Sequence, residues 1–324
     1  MKIGLLSILA LIFVAGCVGS GTRPATISDT EGVRISSFTA TPSVTDVLSG
    51  DTVIFDVEVE NIGGTTASGV EVTLSGIENQ WRETSGVAAP QVIAKSFSSL
   101  RPPQAERNIA GDFRIAQWEY MTPRIPEGLR TPLNIEARVT YDYNTNGFLQ
   151  LTAVNDEEFR RQQVIGSSID PPVVQNSAGP LKLSVPSTEK SSFVIVDTAS
   201  TEPEFIYPLK IEFRNVGAGF PLGTDSTNQG RLTGTIKLLG PGVEFSSCLG
   251  VTSGREVTLQ DSGVNDVIVK LRDTQNVPIV CNLKFTTSEW QNRPTDKVSL
   301  VFDIDYTYFT KQTVTVNVLG RRTE

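Results

Sequence analysis

From Val33 onward, apolar and polar positions alternate with a period of two, the pattern of strands with one face buried and the other wetted. In Thr52–Asn61, Val53, Phe55, Val57 and Val59 share one face, and Asp56, Glu58 and Glu60 share the other. Gly63-Gly64 ends that strand, and Val70, Val72 and Leu74 then alternate with Glu71 and Thr73. Thr84–Arg130 is less regular, broken by Arg101-Pro102-Pro103 and by Pro123, Pro126 and Gly128, with a strand expected at Asp112–Met121. Asn134–Tyr143 alternates again, and Asn146-Gly147 predicts a hairpin turn into Phe148–Val154. Asn155–Gln163 is the one convincing helix, with an Asn cap, acids in its first turn and Arg160 and Arg161 in its last. Gly166–Pro180 then loses periodicity and gathers Pro, Ser and Gly, which marks a linker.

The second half repeats the order of the first. Tyr207–Asn215 alternates Leu209, Ile211 and Phe213 with Lys210, Glu212 and Arg214, and it ends in Asn215-Val216-Gly217 as the earlier strand ends in Asn61-Ile62-Gly63. Val298–Tyr308 matches Asn134–Tyr143, with Tyr306 and Tyr308 answering Tyr141 and Tyr143. Between these lie short β-like segments at Leu232–Leu239, Val257–Leu259, Asp266–Leu271 and Val280–Phe285, and Thr313–Leu319 closes the module. Two ordered matches point to duplication of one unit. The expected fold is all-β: two tandem antiparallel β-sandwiches at 33–165, with the short helix at its end, and 181–320, joined by a linker at 166–180 and followed by a tail at 321–324.

The stretch VEVENIGGTTASGVEVTL, from Val57 to Leu74, resembles the cell-adhesion-related Ig-like domains (CARDB type) of exported prokaryotic proteins, in which a strand, an Asn-x-Gly turn and an Ala/Gly-containing loop precede a second amphipathic strand. The second half is similar over Leu209–Gly217. The resemblance implies Ig-like sandwich modules, in which Tyr141 or Tyr306 would take the corner role of a late-strand tyrosine.

The N-terminus changes the picture of where such modules work. Lys2 precedes an almost unbroken apolar run, Ile3–Ala15, too short to span a bilayer, and Val14-Ala15-Gly16-Cys17 resembles the lipobox of bacterial and some archaeal lipoproteins. That resemblance implies a signal peptide at 1–16, cleaved before a lipidated Cys17 that anchors the protein to the membrane. Residues 17–32, rich in Gly, Ser and Thr, are expected to form a flexible tether. With the modules in series, the second would lie farthest from the lipid. The setting is extracytoplasmic, and there Cys248 and Cys281 are expected to form a disulfide.

Charge and composition then narrow the chemistry. A net charge of −8 removes the electrostatic basis for nucleic-acid binding. The chain has no histidine, which excludes Ser-His-Asp and Cys-His nucleophiles and imidazole acid/base chemistry. No Gly-x-Ser-x-Gly elbow, Walker loop or dinucleotide fingerprint occurs, and no cofactor or metal is expected. Asp303 and Asp305 share one strand face, where two carboxylates could serve calcium or a glycosidic bond, but the same spacing is that of a solvated strand face. Trp81 and Trp290 sit in polar contexts and are candidate ligand or interface contacts, or else caps on a sandwich core. The expectation is a non-catalytic, lipid-anchored surface protein that presents Ig-like modules to an envelope protein or glycan. The alternative is a structural subunit of an envelope assembly, and a carboxylate-dependent glycan-active enzyme ranks third.

Overall fold

The computed structural model describes residues 25–42, 46–77, 80–90, 93–186, 193–222, 230–250, 253–259, 269–270 and 277–321. The expected signal peptide, Cys17 and most of the strand expected at Asp266–Leu271 lie outside them. The first half contains β1 (Val33–Thr41), β2 (Val47–Leu48), β3 (Thr52–Asn61), β4 (Ala67–Ser75), β5 (Ile93–Leu100), β6 (Phe113–Met121) and β7 (Arg130–Asn155), followed by helix α1 (Asp156–Ile165). The second contains β8 (Val173–Asn176), β9 (Leu181–Ser184), β10 (Val194–Val196), β11 (Glu204–Asn215), β12 (Phe220–Leu222), β13 (Arg231–Leu239), β14 (Val243–Cys248), β15 (Glu256–Leu259), β16 (Val269–Lys270) and β17 (Val277–Thr286). The short α2 (Thr287–Trp290) leads into β18 (Thr295–Leu319). The fold is an all-β sandwich of antiparallel sheets, and β3 buries Val53, Phe55, Val57 and Val59 as its alternation requires.

The duplicated order recurs in three dimensions. In the first half, β1-β3-β6 forms one layer and β5-β4-β7 the other; in the second, β9-β11-β17 with β14 at its edge faces β15-β13-β18. The inner layers are one sheet, because β7 and β18 pair antiparallel along their whole lengths, from Thr295↔Val154 to Leu319↔Arg130. The pairing centres on Asp142↔Thr307, with Tyr141 opposite Tyr308 and Tyr143 opposite Tyr306, so a pseudo-two-fold axis passes through the two Tyr-x-Tyr repeats. Each long strand belongs to both halves. Residues 136–142 of β7 pair with β4, while Gly147–Gln150 pair with β8 and Ala153–Asn155 with β10. In the same way β18 pairs with β13 through Ser299–Asp305, then with β12 through Thr307–Phe309 and with β2 at Val318–Leu319.

This architecture corrects three expectations. The segment 166–180 does not separate independent modules: it holds β8, paired to the first half's last strand, and a single hydrophobic cluster runs from Val33 to Val318. Asn146-Gly147 makes no hairpin, since β7 continues straight through it. Gly147 is needed there for another reason, because a Cβ at this position would collide with the Gln175 carbonyl of β8 and approach the Phe302 ring to 2.8 Å. β18 likewise runs unbroken through Thr310-Lys311-Gln312, which divided two expected strands. The helix forms as its caps require: Asn155 Oδ1 accepts from the Glu158 amide at 2.8 Å, and Gly166 ends it in the left-handed region at φ 70°.

Candidate functional site

The inner face of the shared sheet explains the repeated motifs. Tyr141, Tyr143, Tyr306 and Tyr308 form a ring with centroid separations of 5.8 Å to 6.3 Å, buried around the axis. In both Asn-x-Gly turns the asparagine closes the loop on itself: Asn61 Oδ1 accepts from Gly63 N at 3.1 Å, and Asn215 Oδ1 from Gly217 N at 3.2 Å. The glycines leave room for tyrosine hydroxyls, since a Cβ on Gly217 would lie 2.6 Å from the Tyr308 hydroxyl and one on Gly63 would collide with that of Tyr143. Tyr308 donates to Asn215 Oδ1 at 2.8 Å, and Tyr143 accepts from Thr65 N at 3.1 Å. The second tyrosine of each Tyr-x-Tyr thus holds the Asn-x-Gly loop of its own half across 78 and 93 positions of chain, a longer reach than the few residues of the corner expected at Tyr141 or Tyr306. Burial pushes the Tyr141, Tyr306 and Tyr308 hydroxyls far above the usual phenol range, and Tyr143 upward as well.

Residues 25–32 pass over this same inner face, so the described end of the expected tether is docked. Gly32 O accepts from Ile62 N and Gly63 N, at 2.9 Å and 3.1 Å, and Ser28 N donates to Ile62 O at 2.7 Å. On the second-half side, Asp29 O accepts from Gly179 N, and the Asp29 carboxylate meets Lys182 Nζ at 2.7 Å. The segment thus ties both halves together on the tyrosine side of the sheet.

The outer face carries the open site. Beside the axis, the strands flanking β7 and β18 change: β4 leaves β7 at Asp142 and β8 joins it at Gly147, while β13 gives way to β12 between Asp305 and Thr307 of β18. A β-bulge between Ser68 and Glu71, with Gly69 at φ 56°, bends β4 away at that point. The resulting cleft, about 320 Å³, is lined by Ser68, Asp142 and Asn144 from the first half and by Arg231, Thr233, Asp305 and Thr307 from the second. It exists only because the halves share a sheet. Asn144 Nδ2 donates to Asp303 Oδ1 at 2.6 Å and to Asp305 Oδ1 at 2.8 Å, and Thr307 Oγ1 donates to Asp142 Oδ1 at 2.7 Å. Among the described residues, each of these carboxylates is held through one oxygen by these bonds, Oδ1 in every case. Next along the same strands, from Asn146 and Asp303 onward, lies a separate, shallower depression of about 610 Å³, lined by Phe148, Val301 and Leu239 together with Gln150 and Ser299. Phe148 and Val301 stand directly opposite each other in the ladder.

The two tryptophans are elsewhere, and the structure overturns their reading as ligand contacts. Trp81 is fully buried, edge-on to Phe55 at 5.4 Å, and Trp290 is fully buried against Phe285 at 5.6 Å, with Nε1 donating to Pro241 O at 3.2 Å. They plug the two sandwiches from loop ends, where an indole covers more apolar surface than any other side chain. Trp81→Ala and Trp290→Ala are each expected to lower unfolding free energy by about 3–5 kcal/mol in denaturant titration, with partner retention unchanged at temperatures where the variants stay folded.

Cys248 and Cys281 form the expected disulfide, linking β14 to β17 beside the Ser247–Asn282 hydrogen bond of 2.8 Å. Closing this 33-residue separation contributes about 3–4 kcal/mol in the chain-entropy treatment. Such a bond belongs to an oxidising, extracytoplasmic setting. Among the described residues, no helix is long and apolar enough to cross a membrane, and no cluster of three or more acidic or cysteine side chains could hold a metal ion. Asp303 and Asp305 are thus brought to Asn144 rather than to a third carboxylate. Period-two alternation foreshadowed the outward face only as far as Asp142; Asn144 and Asn146 fell in the expected turn, and nothing in the sequence paired them with Asp303 and Asp305.

The class these features define is an all-β sandwich protein with a solvent-open cleft on a continuous sheet. No family model and no curated protein matches the chain. Among solved structures, it is similar to the Pseudomonas fluorescens alkylpurine DNA glycosylase AlkC bound to DNA containing an abasic site analogue, at 16% identity over 34% of this chain and 27% of that one, with a TM-score of 0.22. The chain thus spans about a quarter of the glycosylase's length. It is also similar to the collagen adhesin of S. aureus, at 8% identity over 90% of this chain and 94% of that one, TM-score 0.11. A third similarity is to the VP2 subviral particle of infectious bursal disease virus, at 8% identity over 87% of each chain, TM-score 0.10. At these TM-scores none carries an argument about function.

Proposed function

We propose that the protein is a non-catalytic binding module, anchored to the outside of a prokaryotic membrane by lipid on Cys17, that engages an envelope protein or glycan through the outer face of the shared sheet. The observation that carries this reading is the cleft at the junction of the halves, on the side of the sheet opposite residues 25–32. A tether leaving from the tyrosine side turns the cleft away from the bilayer. Residues 17–24, if fully extended, would reach about 28 Å. Both halves flank the axis and both contribute to the cleft, which supersedes a serial stack with its second module outermost. The Ig-like and CARDB-type character belongs to this proposal, supported by the β3, turn and β4 path of Val57–Leu74.

The test places a photo-crosslinking residue at Asn146 or Lys237 on the outer face and at Lys210 on β11 as a control, in intact cells. Adducts from the first two and none from Lys210 are expected; adducts from Lys210 alone would sink the reading. One observation favours the second reading, an envelope assembly subunit. Among the described residues no strand covers the outer edge of β6 between Phe113 and Tyr120, and Phe113 and Ile115 are 56% and 54% exposed there. Sedimentation separates the two: concentration-dependent polymers abolished by Ile115→Pro would establish the assembly role.

A further inference from the structure

We infer that the ligand of the outer face is a neutral, polyhydroxylated one, a short stretch of uncharged glycan, with one sugar in the cleft between Asp142, Asn144 and Asp305 and the chain continuing over Phe148, Val301 and Leu239. The inference rests on the binding-module reading and gives it a ligand class. A sugar hydroxyl both donates and accepts, so it needs a surface on which fixed acceptors and donors are interleaved. The cleft provides this. Asp142 and Asp305 each present one carboxylate oxygen that no described residue occupies, with the hydroxyls of Ser68, Thr66 and Thr233 and the Arg231 side chain around them. Asn144 and Thr307 hold those carboxylates in place before any ligand arrives, so little side-chain freedom is lost on binding.

The charge of the cleft, two carboxylates against the single Arg231, weighs against anionic ligands. Asp142, Asp303 and Asp305 would repel a phosphate or an acidic sugar at close range. A metal cation needs several converging oxygens, and the aspartates instead converge on the amide of Asn144. The apolar shelf supplies the second half of sugar recognition, a flat surface for the C–H face of a pyranose. Phe148 and Val301 form that shelf, and Leu239 extends it across β13. From Asp305 to Val301 the strand advances about 13 Å, a distance spanned by a short oligosaccharide and not by one sugar. On the other side of the axis the outer-face aromatic is Phe309, which is covered: the Arg138 guanidinium lies 3.8 Å over its ring, and Phe220 stacks beside it at 5.4 Å. Among the described residues the open apolar surface beside the cleft is the Phe148 side, so the glycan runs in that direction.

The experiment uses the full chain in detergent on an array of neutral and anionic oligosaccharides, followed by titration of the best-retained glycan and of its single sugars. Retention of neutral glycans is expected. Asp142→Ala and Asp305→Ala should each weaken binding at least tenfold. Phe148→Ala should weaken the oligosaccharide about fivefold and leave the single sugar within twofold, a split that loss of fold would not produce. Phe113→Lys, on the remote sheet, should change nothing, and thermal melts confirm that the variants are folded. No retained neutral glycan, a preference for anionic glycans, or binding unmoved by both aspartate variants would each overturn the inference. If the array stays empty while cleft variants abolish protein adducts in the cell crosslinking test, the ligand is a protein; the glycan inference falls and the binding-module reading stands. If both experiments are empty, both fall.

Discussion

Severed between Ser167 and Ser168, where the chain is exposed after α1, the protein is expected to remain one particle, and its two halves made separately are expected not to fold. The reason lies in the exchanged ends of β7 and β18. Leu149, Leu151 and Ala153 of β7 extend past their own sandwich into the core of the second half, and Val316 and Val318 of β18 lie beyond Thr307 on the first-half side. Burying five such side chains stabilises the fold by on the order of 10 kcal/mol. That is comparable to the whole stability of an ordinary domain. Each isolated half would also present an unpaired edge as long as β7 or β18, with every second side chain apolar. Residues 25–167 and 168–321 mixed from denaturant should recover a one-to-one complex with a single cooperative melt. Independent cooperative unfolding of either half alone would refute the shared core. The intact chain should likewise melt in one transition, because no interface separates the halves along which they could uncouple.

The second large effect is alkaline. Below about pH 10 the four axis tyrosines are protonated in both folded and unfolded chains, and they contribute no pH dependence. Above that value the unfolded chain releases phenolic protons that the fold retains, because burial raises the folded values of Tyr141, Tyr306, Tyr308 and Tyr143. Stability therefore falls as pH rises from 10 toward the folded values, by up to about 1.4 kcal/mol per pH unit for each tyrosine and about 5–6 kcal/mol for the four together. A fold of ordinary stability is lost within about two pH units. With Tyr120 and Tyr207 replaced by Phe, so that only the four axis tyrosines remain to absorb, absorbance at 295 nm should stay flat through pH 10 and then rise in one step together with the loss of circular dichroism. Tyrosinate appearing near pH 10 with the native spectrum retained would show that the ring is wetter than its packing implies. Tyr141→Phe and Tyr306→Phe should move the step upward in pH.

The local alternation of the sequence carried much of the fold. Val53, Phe55, Val57 and Val59 needed only each other's spacing to declare a half-buried strand, and Asn155 with the acids behind it declared a helix start. The duplication was also legible, because Asn-x-Gly and Tyr-x-Tyr recur in order. β5 was not, since Ile93–Leu100 buries little beyond its two ends and shows no regular alternation. Of the two readings the sequence left open for the tryptophans, the structure bears out the core cap: polar neighbours in sequence say nothing about what a loop folds back over, and both indoles turn inward to close a core.

What the sequence by itself determined is everything that depends on neighbours along the chain: strand faces, the helix cap, the repeated unit and the absence of histidine chemistry. The tertiary structure alone decided how the two units meet. Hydrogen bonds between strands join residues more than a hundred positions apart, so no local signal distinguishes a strand that ends at Tyr143 from one that runs on to Asn155 beside β18. That continuation turns two expected modules into one sheet and brings Asn144 to Asp303 and Asp305. It also sets the cleft and the docked N-terminal segment on opposite faces.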